Sequence, residues 1–288
     1  MRIKENIHRI KISFNVTEEI ERFVYIYLIE GKEGCYLIDT GVDGAEKTIE
    51  AYLEGIGKNL SDIKGILLTH AHPDHIGAAA SLKESCECIV YGSKEEQEWI
   101  EDIEKQFQER PIPNFHKLLN RSLKIDHLIE GEYSLQLEPG ITIRIMNTAG
   151  HSQGSVSFLY EEKNILFTGD AIPVNGELPI FTDYADSIYT LRKIYEQQSI
   201  DYYCSAWAEV WDSEEGKEKI MEAIDLLQNI GEIIRETPSN IYINKKEDLI
   251  RKICKSLGME CFAQNPLFIT SVCSAVKEMC GINLANFE

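Results

Sequence analysis

The chain has 288 residues, room for one large domain or for one domain with a small appendage. Hydrophobic residues make up 43% and charged residues 27%, the balance of a soluble globular protein with a substantial core. Acidic residues outnumber basic ones 48 to 29, and the formal net charge of −19 repels phosphate backbones and argues against a nucleic-acid partner. No stretch approaches the roughly 20 apolar residues of a membrane span, so no membrane association is expected. The first ten residues lack the apolar centre of a secretory signal. Among the eight cysteines only Cys86 and Cys88 are closely spaced, and no Cys-x-x-Cys pair of a zinc knuckle occurs. They read as reduced, mostly buried thiols of a cytoplasmic protein.

In chain order, residues 7–14 alternate in polarity as a strand with one exposed face does. Two strands over 23–29 and 35–38 flank the turn 30–34, and a helix over 43–55 leads to the apolar run Ile66-Leu67-Leu68. A helix entered through Gly77 is expected to Ser85, then a strand over 88–91, a helix over 94–108 and a less regular region to about 122. Further strands are expected at 125–129, 133–137, 141–146, 155–160 and 164–167, a helix at 185–197, a strand at 200–204 and a helix at 216–235. Ile220, Ile224, Leu227, Ile230 and Ile234 fall on one face of that last helix. Each half thus runs from strands into helices, the pattern of two packed sheets with helices outside. The turn-forming run 237–240 marks a boundary: residues 1–236 form the main domain. Residues 237–288 form a small helical appendage, expected to dock on the main domain or at a homodimer contact.

The residues with the most chemistry follow the apolar run: Thr69-His70-Ala71-His72-Pro73-Asp74-His75. Three of the seven histidines stand here, at a strand end. Alternate residues of an extended chain point the same way, so His70 and His72 can face one ion. Neutral imidazole and carboxylate are ligands for zinc and for iron. Two other strand ends have the same character, Thr148-Ala149-Gly150-His151 and Phe167-Thr168-Gly169-Asp170, each with glycine before a ligand type.

These motifs in this order resemble the metallo-β-lactamase superfamily. Leu37-Ile38-Asp39-Thr40-Gly41 is similar to its first motif, His70 to His75 to the second, Thr148 to His151 to the third and Phe167 to Asp170 to the fourth. The resemblance covers roughly residues 5–235. It implies an α/β fold, an αβ/βα four-layer sandwich of two mixed β-sheets flanked by helices. It further implies that His70, His72 and His151 hold a first divalent metal, that Asp74 and His75 serve a second, and that Asp170 bridges them. Asp39 either orients a ligand or caps a turn. The chain departs from the family at the fifth motif. Trp207 stands where a histidine is usual, and indole donates a hydrogen bond but binds no metal. Three arrangements follow: Glu209 or solvent completes a two-metal site, a single metal is held by His70, His72, His151 and Asp170, or the second site is weakly occupied.

The resemblance implies a small-molecule substrate and a metal-dependent hydrolase of the thioester, ester or lactone type, similar to glyoxalase II. Zinc is the expected metal, with iron or manganese as alternatives. A bound divalent ion lowers the pKa of its water from 15.7 to about 7 and so supplies hydroxide near neutral pH. Asp74 is the expected catalytic base when one metal binds. Substrate contacts are expected from the loop 172–177 with Phe181 and Tyr184 and from a wall over 108–122 carrying Phe115 and His116, the latter a surface or packing histidine and not a ligand. Trp207 either packs in the core, the simpler expectation, or covers the metal or stacks on substrate. A second reading is a mononuclear-iron oxidoreductase of the persulfide dioxygenase type, using two histidines and Asp170. A third is a non-catalytic, ligand-binding descendant.

Overall fold

A computed structural model describes residues 1–17, 20–239 and 246–282, so the last residue of the predicted boundary run 237–240 lies outside them. The chain divides into two compact units: residues 1–147, 154–169 and 201–210 form the first, and 148–153, 170–200 and the chain from 211 form the second.

The first unit contains two mixed sheets. One is ordered as in the sequence: β1 (Arg2–Lys4), β2 (Ile7–Asn15), β3 (Glu21–Glu30), β4 (Cys35–Ile38), β5 (Ile63–Leu67), β6 (Ile89–Ser93) and β7 (His127–Ile129). Strands β1 to β4 pair antiparallel and β4 to β7 parallel. Parallel neighbours need a crossover, and α1 (Glu46–Gly55) supplies the one from β4 to β5. Strand β3 shows why the sheet is buried on both faces. Val24, Ile26 and Leu28 pack with Ile49 and Leu53 of α1, while Tyr25, Tyr27 and Ile29 pack towards the second sheet. That sheet runs in the order β12 (Tyr202–Ser205), β11 (Ile165–Gly169), β10 (Val156–Tyr160), β9 (Ile141–Asn147) and β8 (Ser134–Glu138). Ile143, Ile145, Phe158, Tyr160 and Phe167 meet the inner face of the first sheet. Each such side chain contributes about 1.5–3 kcal/mol by leaving water.

The helix expected to Ser85 forms as one piece behind a separate short helix, and the one expected over 94–108 is broken. Residues 73–86 form α2 (Pro73–Ile76) and α3 (Ala79–Cys86), with Pro73 at a first-turn position where no amide is needed. A Cβ at Gly77 would lie 2.3 Å from Asp43 N, so only glycine fits there. The helix expected over 94–108 is a 3-10 turn at Lys94–Glu96, then α4 (Gln97–Glu101) and α5 (Ile103–Glu109). Asp102 leaves the helical conformation and caps α5, its Oδ1 accepting from Lys105 N at 3.1 Å. A capping aspartate at that position outweighs the continuous helical pattern around it. Residues 115–118 form a short helix, α6.

The second unit holds α7 (Tyr184–Glu196), α8 (Ser213–Glu236), α9 (Lys246–Leu257) and α10 (Pro266–Cys280). The isoleucine and leucine stripe of α8 is buried as its spacing predicts, and α7, α9 and α10 pack against that helix. Among the described residues no helix is long and apolar enough to cross a membrane. All eight cysteines are free thiols, with Cys35, Cys88, Cys204 and Cys254 buried.

Candidate metal centre

Where β5 ends, the chain leaves the sheet and its amides need new partners. Asp39 Oδ1 accepts from Thr69 N at 2.8 Å, and Glu96 Oε2 accepts from Ala71 N at 3.0 Å. Gln106 of α5 donates to Ala71 O at 2.6 Å. His75 O accepts from both Thr40 N and Thr40 Oγ1, at 2.8 and 3.0 Å. Four backbone groups, on residues 69, 71 and 75, are thereby fixed by side chains or backbone from three other segments. Asp39 itself adopts φ 61°, a left-handed conformation that aspartate tolerates better than most residues.

The same contacts decide where the imidazole protons sit. Asp39 Oδ2 lies 2.8 Å from Thr69 Oγ1, and a carboxylate only accepts, so the threonine hydroxyl donates to it. Thr69 Oγ1 is also 2.9 Å from His70 Nδ1, and its one hydrogen is already used. His70 Nδ1 therefore carries a proton, and His70 Nε2 carries the lone pair. His75 Nδ1 stands 2.8 Å from the same Asp39 oxygen and donates to it, so its lone pair is likewise on Nε2. The His70 and His75 rings lie 4.1 Å apart, and Asp74 Oδ2 is 3.7 Å from His75 Nε2. His72 Nδ1 is 3.0 Å from His70 Nε2. Two nitrogens bound at 2.0–2.1 Å to one tetrahedral ion sit about 3.3 Å apart, close to this spacing. All three histidines are buried.

Within the second unit, His151 follows the same rule. Its Nδ1 is 2.9 Å from Ile180 O, an acceptor only, so the lone pair is again on Nε2, which lies 3.4 Å from Asp170 Oδ2. Gly150 has φ 130°, and a Cβ there would meet Ser187 N at 2.5 Å. Helix α10 secures the segment that receives the imidazole proton: Ser271 Oγ accepts from Phe181 N at 2.9 Å, and Ser274 Oγ donates to Thr182 O at 2.6 Å.

The fifth-motif region is tied to β3. Tyr25 N donates to Ala206 O at 2.8 Å, Tyr27 Oη to Ser205 O at 2.6 Å, and Ala206 N to Gly169 O at 3.1 Å. Trp207 is half-buried, 6.3 Å from the Phe23 ring, with the Arg22 guanidinium 5.3 Å from its own centroid. Glu209 is exposed and spends its carboxylate on Arg9 Nη2, at 2.6 Å, and on the Tyr25 hydroxyl, at 3.1 Å. The Arg9 hydrogen bond holds its pKa below the ordinary carboxylate range. Three residues expected to face substrate are packing residues instead. Tyr184 is buried and donates to Leu227 O at 3.0 Å, because it opens α7 where that helix meets α8, and Phe181 and Phe115 are fully buried. His116 is at the surface, 2.9 Å from Glu104. Sequence reasoning passed over Glu96, Gln106 and Ser271. Glu96 sits in the charged run Lys94-Glu95-Glu96, where nothing marks it as the buried member.

Residues 20–200, more than half of the chain, match the family model described as the metallo-beta-lactamase superfamily. The chain belongs to that superfamily. The matched metallo-β-lactamase region includes Asp39, the 70–75 stretch, His151 and Asp170. Hydroxyacylglutathione hydrolase GloC of Haemophilus influenzae is 31% identical over 148 residues, 51% of this chain. The match spans 65% of that relative, less than two thirds of its length. "Probable metallo-hydrolase MJ0888" of Methanocaldococcus jannaschii is 32% identical over 197 residues, 65% of this chain and 88% of its own. The crystal structure of a metallo-beta-lactamase family protein from Thermus thermophilus shares the fold at 17% identity. Its TM-score is 0.72 over 95% of this chain and 93% of that one. The expected class, two mixed sheets flanked by helices, is the class observed. For a metallo-β-lactamase chain, this donor set of buried imidazoles with fixed protons is that of a divalent-metal site.

Proposed function

We propose that this chain is a metal-dependent hydrolase of a small thioester, ester or lactone. The observation that carries the reading is the shared orientation of His70 and His75. Each donates from Nδ1 into a chain ending on Asp39, and so offers its Nε2 lone pair. A histidine that merely filled space would need no such relay, whereas metal-binding imidazoles are held this way. His70, His72 and His151 are the ligands we assign to a first ion, with Asp170 joining them and Asp74 and His75 serving a second. When bound, a divalent ion polarises a carbonyl oxygen and lowers the pKa of a water. With one ion, the Asp74 carboxylate is the base that takes the proton of the attacking water; with two, it is a ligand. The relatives named as metallo-hydrolases favour hydrolysis, and those named as hydroxyacylglutathione hydrolase favour a thioester substrate.

One observation favours a second reading. The family's late histidine is replaced by Trp207, and the sequence has no histidine after His151. A single iron held by two of the histidines and Asp170, turning over a persulfide with oxygen, fits that loss. Metal analysis of protein purified without added metal separates the two. Zinc or manganese with thioester turnover supports hydrolysis; one iron per chain with oxygen uptake on a persulfide overturns it.

A further inference from the structure

Trp99 stands on α4 beside the metal centre, its ring centroid 6.4 Å from that of His72 and the two planes 32° apart. Successive helical residues are about 100° apart, so the face that buries Ile100 completely does not bury Trp99. The indole packs in part against the core and is half-buried. Its N–H is already used: it donates to Glu109 Oε2 of α5 at 2.7 Å, and Lys105 Nζ lies 3.8 Å from the other oxygen of Glu109. The junction of α4 and α5 is anchored as well. Leu123 N donates to Ile100 O at 3.0 Å, Ile125 N to Glu101 Oε1 at 3.2 Å and Ile103 N to Ser122 Oγ at 3.2 Å. With Gln106 holding Ala71 O, the ring is fixed relative to the 69–75 stretch, and it offers apolar surface with its one polar group satisfied.

We propose that Trp99 is a specificity-determining residue whose indole receives an apolar or aromatic group of the substrate next to the reacting carbonyl. The proposal rests on the metal-dependent hydrolase reading and narrows its substrate class to thioesters, esters or lactones with an apolar acyl group. Small-molecule sites combine a few polar groups that set orientation with apolar and aromatic walls. Here the imidazoles and Asp74 are the polar set, and Trp99 is the aromatic wall beside them. A substrate ring stacked offset or edge-on against the open part of the indole has the geometry that aromatic pairs favour. The surrounding charge sharpens the choice. Between residues 97 and 109 the acids Glu98, Glu101, Asp102, Glu104 and Glu109 stand against one cation, Lys105, so an acyl group carrying its own carboxylate is disfavoured. An indole that merely packed over His72 would govern how tightly the metal is held and not which ligand is chosen.

The test uses the zinc-loaded full chain with acetate and phenylacetate as probes, their binding followed by calorimetry. Both carry the same carboxylate, so the surrounding charge cancels and the ratio of the two Kd values reads the ring alone. The parent should bind phenylacetate at least about tenfold more tightly, the scale on which a pocket selects apolar groups. Trp99→Ala should bring the two affinities together, Trp99→Phe should retain most of the difference, and zinc affinity should be unchanged in both. Equal binding of the probes by the parent, a preference that survives in Trp99→Ala, or a matching loss of zinc affinity overturns the proposal. Hydrolysis assays keep the two claims apart. A parent that discriminates between the probes but turns over no thioester, ester or lactone supports the Trp99 contact and contradicts the hydrolase reading, whereas turnover without discrimination overturns the Trp99 proposal alone.

Discussion

Asp39 and His75 stand 2.8 Å apart, carboxylate oxygen to Nδ1, and the same oxygen takes the Thr69 hydroxyl that receives the His70 proton. One carboxylate thus fixes two imidazoles, one directly and one through a threonine. Asn tolerates the left-handed backbone at this position, so Asp39→Asn should fold. It should nevertheless weaken metal binding about 10–100-fold, the usual cost of losing such a partner. Metal titration of the variant by calorimetry checks this; affinity equal to the parent's would show that the contact only shapes the turn.

Glu96 has the role of a buried bracket. Its two oxygens accept from Ala71 N at 3.0 Å and from Gly154 N at 2.7 Å, and the residue is 3% exposed. In Glu96→Gln one backbone N–H faces an amide that also donates. The cost should be about 1–3 kcal/mol in urea unfolding, the penalty for a buried group left without its partner. Because Ala71 separates His70 from His72, metal affinity should fall as well.

The C-terminal helix α10 bears on His151. Ser271 is fully buried and accepts from Phe181 N, next to the Ile180 carbonyl that takes the His151 proton. Ser271→Ala should therefore weaken metal retention as well as stability, whereas a helix that only covers apolar surface would change stability alone. Chelator competition on the variant, compared with its thermal midpoint, distinguishes the two.

The Arg9–Glu209 pair should act on pH dependence and not on chemistry. The Glu209 pKa is depressed by Arg9, so its contribution is present above the unfolded value of about 4.3 and is lost as pH falls through the lower folded value. Glu209→Gln should flatten that acid limb slightly, Glu209 itself being exposed, and leave turnover at neutral pH unchanged. Loss of turnover would restore Glu209 as a candidate ligand.

How much of this could be read beforehand varies with the residue. His70, His72, His151 and Asp170 announce themselves, because ligand types at strand ends after glycine or an apolar run are uncommon. The buried strands are legible from their apolar runs, and the α8 stripe from its spacing. The helix break at Asp102 is not, since it depends on a local cap that competes with helix continuation and that periodicity does not show. Tyr184 misleads for the same reason, as nothing in the sequence shows that its hydroxyl meets Leu227.

Hydrolysis of a small thioester, followed through metal removal and restoration in the absence of oxygen, tests the central claim most directly. Chelation should abolish turnover, zinc or manganese should restore it without oxygen, and His70→Ala should remain inactive whatever metal is added. Turnover that survives chelation, or persists in His70→Ala, would contradict the metal-dependent hydrolase and the site assigned to it.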